Sequence, residues 1–107
     1  MTPYRAVKQN IDSLFELQSD LEFTAMALAG KLYDSPSSEL REIMQRAKDN
    51  ARSINNKIHV YFEGSIKPNG AHEERDHETK LIHKAKVAVR YLRLAIYHYD
   101  KEQEEKK

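Results

Sequence analysis

The sequence predicts an all-α fold, an antiparallel three-helix bundle with long helices. Three observations predict it. Apolar residues recur at alternating steps of four and three along three long segments. Proline-bearing breaks, Ser35-Pro36 and Pro68-Asn69-Gly70, separate those segments. No stretch alternates residue by residue as a half-buried strand would. At 107 residues the chain has room for one domain with a modest core. That domain is expected over residues 1–101, followed by a charged, disordered tail at 102–107.

The first helix is expected from about Pro3 to Tyr33. Thr2 suits an N-cap, and Pro3 suits the first helical position, where its missing N–H has no intrahelical partner to lose. Val7, Ile11, Leu14, Gln18, Leu21, Ala25, Leu28 and Leu32 form the seam. Gln18 is its one polar member, a register device or an edge position. Tyr4, Phe15, Met26 and Tyr33 flank the seam and are expected to widen it, whereas Phe23 points away.

The second helix is expected to start at Ser35-Pro36, by the same cap-and-proline logic. Leu40, Met44, Ala47, Ala51, Ile54, Ile58 and Tyr61 make its seam, with Ile43 and Phe62 alongside. The small Ala47 and Ala51 allow a neighbouring helix to approach closely. Gly64 is a natural stop, because glycine tolerates the left-handed conformation. After a turn at Pro68-Asn69-Gly70, the third helix is expected from about His72 to Lys101.

Charge narrows the function classes. Eighteen Lys and Arg against seventeen Asp and Glu leave a net +1, which argues against a general polyanion binder. With no Cys, disulfides, thiolate metal sites and Cys–His chemistry are excluded. Neither a leader-like apolar run nor a segment of the roughly 20 apolar residues needed to span a bilayer is present, so a cytoplasmic chain without membrane contact is expected. The charges are nonetheless unevenly placed. Residues 1–35 carry three cations against five acids, whereas Thr79 to Tyr99 contains no acid at all.

Projected at about 100° per residue, that acid-free helix separates into three faces. Leu81, Ile82, Ala85, Ala88, Val89, Leu92, Ala95, Ile96 and Tyr99 form a broad core face. Val87, Tyr91 and Leu94, with His98, form a narrower apolar stripe. A second subunit docked there, making a homodimer, is the expected reading; the shoulder of a wide core is the alternative. His83, Lys86, Arg90, Arg93 and Tyr97 form a basic face with an aromatic end. Those cations either pair with the acids of the first helix (Asp12, Glu16, Asp20, Glu22) or bind carboxylates or phosphates of a partner. Lys80 and Lys84 fall beside the Val87 stripe instead.

Other constellations carry less. His72-Glu73-Glu74-Arg75-Asp76-His77-Glu78 offers ligand types at helical spacing, as do His59 and Glu63. A di-iron bundle needs two Glu-x-x-His motifs and inward carboxylates, and only Glu74 to His77 fits, so no metal or cofactor is expected. The acids read as a solvated helix start that complements the helix dipole. Gly30, Gly64 and Gly70 make no phosphate-cradling loop, and no serine sits in a nucleophile elbow. Arg93-Leu94-Ala95-Ile96-Tyr97-His98 has an Arg-x4-His spacing that resembles the motif of the HEPN ribonucleases. The resemblance implies an RNA-cleaving dimer in which Arg93 stabilises phosphate and His98 acts as acid or base. Leu94 departs from the polar residue that follows the Arg in that family.

The function expected from these features is a non-enzymatic interaction module, an adaptor, inhibitor or immunity-like protein. It would bind an acidic protein partner through His83, Lys86, Arg90, Arg93 and Tyr97. A nucleic-acid-binding dimer using the same strip, and a HEPN-like ribonuclease, are the alternatives.

Overall fold

The computed structural model describes residues 3–34, 36–63 and 71–106, with side-chain surroundings for 9–34, 36–63 and 77–106. Three helices, α1 (Pro3–Lys31), α2 (Ser38–Glu63) and α3 (Ala71–Glu105), pack against one another as a compact three-helix bundle. Four side-chain ties set their directions. Asn10 Nδ2 donates to Glu78 Oε1 at 3.1 Å, and Lys31 Nζ lies 3.3 Å from Asp100 Oδ1. Those ties join start to start and end to end, so α1 and α3 run parallel. The Tyr61 hydroxyl donates to Glu78, and the Ser37 N–H donates to Glu102 at 3.1 Å, so α2 runs antiparallel to both.

The same ties fix the register of α2 on α3. Seven residues back from Tyr61 is Ile54, and seven on from Glu78 is Ala85. Further steps set Ala51 level with Ala88, Ala47 with Leu92, Met44 with Ala95, and Leu40 with Tyr99. All of these side chains are buried. Large comes level with small at three of these levels, Ile54 with Ala85, Ala47 with Leu92 and Met44 with Ala95, a complementarity that helps fill the core. Leu14, Leu21 and Leu28 of α1 close the third side, with Leu17 joining them. Each fully buried Leu or Ile contributes about 1.5–3 kcal/mol.

The seam residues of α2 and α3 lie where periodicity placed them, but several details differ. Leu17 is buried although it falls outside the seam read from the sequence; it sits one turn after Leu14. Met26 and Tyr33 do not widen the core and are exposed, as is Ile43. Phe15 is only half-covered, by stacking on the Phe62 ring at 4.3 Å. The α2 helix begins at Ser38, not at Pro36, and its cap is Ser37: the Ser37 Oγ accepts the Leu40 N–H at 3.3 Å. Before it, Leu32 to Asp34 tighten into a turn that satisfies the last α1 carbonyls. The Thr2 cap, Ser35, the Gly64 stop, the Pro68-Asn69-Gly70 turn and the side chains of Tyr4 and Val7 lie outside the described residues.

The third helix also runs further than expected. It continues through Glu105, so most of the segment read as a disordered tail is helical. The reason is tertiary. Glu102 reaches back to the start of α2, and both its oxygens lie 3.1 Å from the Ser37 N. Hydrogen bonds from Ser37 hold the Glu102 carboxyl below its ordinary value of 4.5, with Lys106 adding to the effect. A lowered folded value means that the clamp acts in full above 4.5 and is lost as pH falls through the lowered value. Glu102→Gln is accordingly expected to lower the thermal midpoint at neutral pH, with the difference from the parent vanishing in acid. Melting curves of both proteins across that range check this; an equal difference at both ends refutes it.

Candidate functional site

The outer surface of α3 is the most distinctive part of the molecule. Packing fixes its rotation, because Leu81, Ala85, Ala88, Val89, Leu92, Ala95 and Tyr99 are all buried against α1 and α2. Helical geometry then turns the remaining positions outward. His83, Lys86, Arg90, Arg93 and Tyr97 are all exposed. Helical rotation turns Lys86, Arg90, Arg93 and Tyr97 toward the α1 side, whereas His83 lines a groove with Asn50, Ile54 and Lys57 of α2. Among the described residues, none of the four basic side chains has an ion-pair partner. The expected alternative, pairing with the acids of α1, is therefore not realised within the chain. Asp12 and Glu16 point outward, and Glu22 lies in the groove toward α2 with Lys48 and Arg52. Tyr97 sits between Lys101, whose Nζ is 5.7 Å from its ring, and the His98 ring at 5.6 Å.

Beside this strip, Val87, Tyr91 and Leu94 are 46%, 42% and 51% exposed. Val87 borders the same α2 groove as His83. Lys80 and Lys84 lie on the far flank, as their spacing required. The structure adds Lys57 to them, and the three lysines border a groove of about 590 Å³ floored by Val60, Tyr61 and Leu81. The α3 surface thus presents an apolar ridge with cations on both sides.

One feature of this end of the bundle escaped the sequence reading. Glu78, read as part of a solvated acidic block, is completely buried. It accepts hydrogen bonds from Asn10 of α1 and Tyr61 of α2, so one carboxyl ties all three helices. The signal was available: Glu78 precedes Leu81, Ile82 and Ala85 by three, four and seven residues, which puts it on the core face. At the other end Tyr99 plays a similar part. Its hydroxyl donates to Asp34 at 2.9 Å, and burial followed by that bond raises it above its ordinary value of 10.0.

The remaining candidates are dispersed. His59 Nε2 pairs with Glu63 at 3.1 Å on the exposed side of α2, while the His77 ring lies 5.3 Å from Tyr61. The side chains of His72, Glu73, Glu74 and Asp76 lie outside the described residues. Among the described residues no three metal-ligating side chains gather. Arg93 and His98 diverge: Arg93 lies on the α1 side, whereas His98 lines a groove with Leu40 and Ile43 of α2. Five residues advance about 140° around a helix, which separates the two within one chain. No helix among the described residues is long and apolar enough to cross a membrane.

No family model, curated protein or solved structure matches the chain. The site therefore has to be read from its own chemistry.

Proposed function

We propose that this chain is a non-enzymatic interaction module, an adaptor, inhibitor or immunity-like protein whose α3 surface docks an acidic protein partner. One observation carries the reading. From Thr79 to Tyr99 the exposed positions combine cations unpaired among the described residues with half-exposed Val87, Tyr91, Leu94 and Tyr97, and no acid interrupts them. Arginine and tyrosine are the residue types that most often anchor protein interfaces. Complementary charge would steer the encounter and select the partner, and the apolar ridge would add contact area. Apolar side chains among the cations favour a protein partner over nucleic acid, whose backbone rewards cations alone.

The test is capture from nuclease-treated lysate with three baits: the parent, Arg90→Glu/Arg93→Glu and Leu94→Asp. A protein held by the parent should be lost at least tenfold with the first variant and weakened with the second, while circular dichroism shows helices intact. Capture that survives both changes moves the partner off this surface. Capture that disappears on nuclease treatment replaces the protein partner with nucleic acid.

A further inference from the structure

The acidic counterpart that fits the α3 strip is present on the same molecule. Between Gln9 and Gly30 the chain has no Lys, Arg or His, and it carries Asp12, Glu16, Asp20 and Glu22. Asp12, Glu16 and Asp20 are four residues apart and all exposed. Their helical positions place them on the outward side of α1, away from the α2 groove that holds Glu22, Met26 and Lys48. Phe23 follows on the same line and is 70% exposed. Among the described residues, none of these acids has an ion-pair partner. Because α1 and α3 are parallel neighbours, an acidic ridge and a basic ridge run side by side along one face of the bundle.

Their register matches. Eleven residues back from the Lys31–Asp100 tie, Asp20 comes level with Val89; fifteen back, Glu16 comes level with Ala85; eight back, Phe23 comes level with Leu92. Each is one residue, about 1.5 Å of rise, short of a cation: Arg90, Lys86 and Arg93 respectively. A two-fold axis parallel to the helices would lay α1 of one copy over α3 of another, in the same direction and twice over. Such a contact is isologous and closed. The competing arrangement, α1 over α1, sets acid against acid.

We infer that a second copy of this chain is a partner of the α3 strip, docked so that Glu16, Asp20 and Phe23 of each copy meet Lys86, Arg90 and Arg93 of the other. This inference rests on the reading of the strip as a docking surface for acidic protein. It gives Phe23, otherwise an exposed aromatic side chain, an arginine to stack on. A bundle with extents of 57 × 24 × 17 Å has faces large enough for the roughly 800 Å² per partner that stable interfaces bury. The Val87, Tyr91 and Leu94 ridge is not the seam of this dimer.

Solution mass, measured by sedimentation on the full chain at low and high salt, tests it. The expected result is a twofold mass at low salt that falls toward the monomer as salt rises. Glu16→Lys/Asp20→Lys and Arg90→Glu/Arg93→Glu should each be monomeric while remaining helical. Mixing the two variants should restore the doubled mass, because both contacts of the mixed pair regain opposite charge. A parent that stays monomeric throughout, a dimer indifferent to both variants, or a mixture that stays monomeric overturns the inference. A monomeric parent that still captures a target through Arg90 and Arg93 overturns it while leaving the proposed function standing. Loss of that capture with self-association intact does the reverse.

Discussion

Replacing Glu78 with leucine is expected to lower stability by about 3 kcal/mol, one of the largest losses available to a single substitution in this chain. Glu78 has no exposed surface and accepts from Asn10 Nδ2 and the Tyr61 hydroxyl. Leucine fits a core position, but it strips both donors of their shared acceptor. Removing one partner from a part-buried polar network costs about 1–3 kcal/mol for each group left behind. Glu78→Gln should cost much less, about 1 kcal/mol, because the carboxamide oxygen can accept from Asn10 while its NH2 donates to the Tyr61 oxygen. Leucine at 78 combined with Asn10→Leu and Tyr61→Phe should recover most of the loss, since it removes both donors together with the acceptor they share. Urea unfolding of the four proteins measures all three expectations. A leucine variant as stable as the parent would show that the tie among the three helices is dispensable.

Glu78 also shows where the sequence stops being legible. The core face of α3 could be read because nine apolar residues from Leu81 to Tyr99 repeat at helical spacing in a segment without acids. One turn earlier the same face carries Glu78, and its neighbours Glu73, Glu74 and Asp76 disguise it as part of a charged block. Its partners are 68 and 17 residues away, so no local pattern reveals them. The start of α2 illustrates the same limit. Ser35, Ser37 and Ser38 surround Pro36, and each has a side chain able to cap. The choice of Ser37 is reinforced by Glu102 across the bundle, and that same contact carries α3 beyond Lys101. Local chemistry offers the options, and tertiary contacts select among them.

The candidate surface divides in the same way. That Lys86, Arg90 and Arg93 share an outward face follows from spacing alone. Whether they pair within the chain depends on how α1 is rotated, and that rotation is set by Leu14, Leu17, Leu21 and Leu28 turning inward. The result carries Asp12 and Glu16 outward and Glu22 toward α2. Lys57 joins Lys80 and Lys84 only because α2 is antiparallel, a relation invisible from any one segment. What the strip binds is a property of another molecule, and sequence spacing reaches it only where that molecule is a second copy of the same chain.

The pairing of large with small side chains between α2 and α3 leads to the second large effect. Leu92→Ala is expected to destabilise by about 3 kcal/mol, within the range of about 2–5 kcal/mol for emptying a fully buried leucine site. The register sets Leu92 level with Ala47, so the variant places alanine against alanine and leaves a cavity. Ala47→Leu alone should also destabilise, by about 1–3 kcal/mol, because the added methylenes have no space while Leu92 remains. The two changes together conserve volume and move the leucine from one helix to the other. Their combined loss should fall below the sum of the single losses by at least about 1 kcal/mol, the coupling expected of residues that share one space. Denaturant midpoints and slopes of the parent, both single variants and the double variant supply the cycle. Strict additivity would mean that Ala47 and Leu92 do not face each other, and the register drawn from the Tyr61–Glu78 and Ser37–Glu102 ties would then be wrong by about a turn. A sub-additive loss with an unchanged slope would fix that register, and with it the rotation of α3 that exposes Lys86, Arg90 and Arg93.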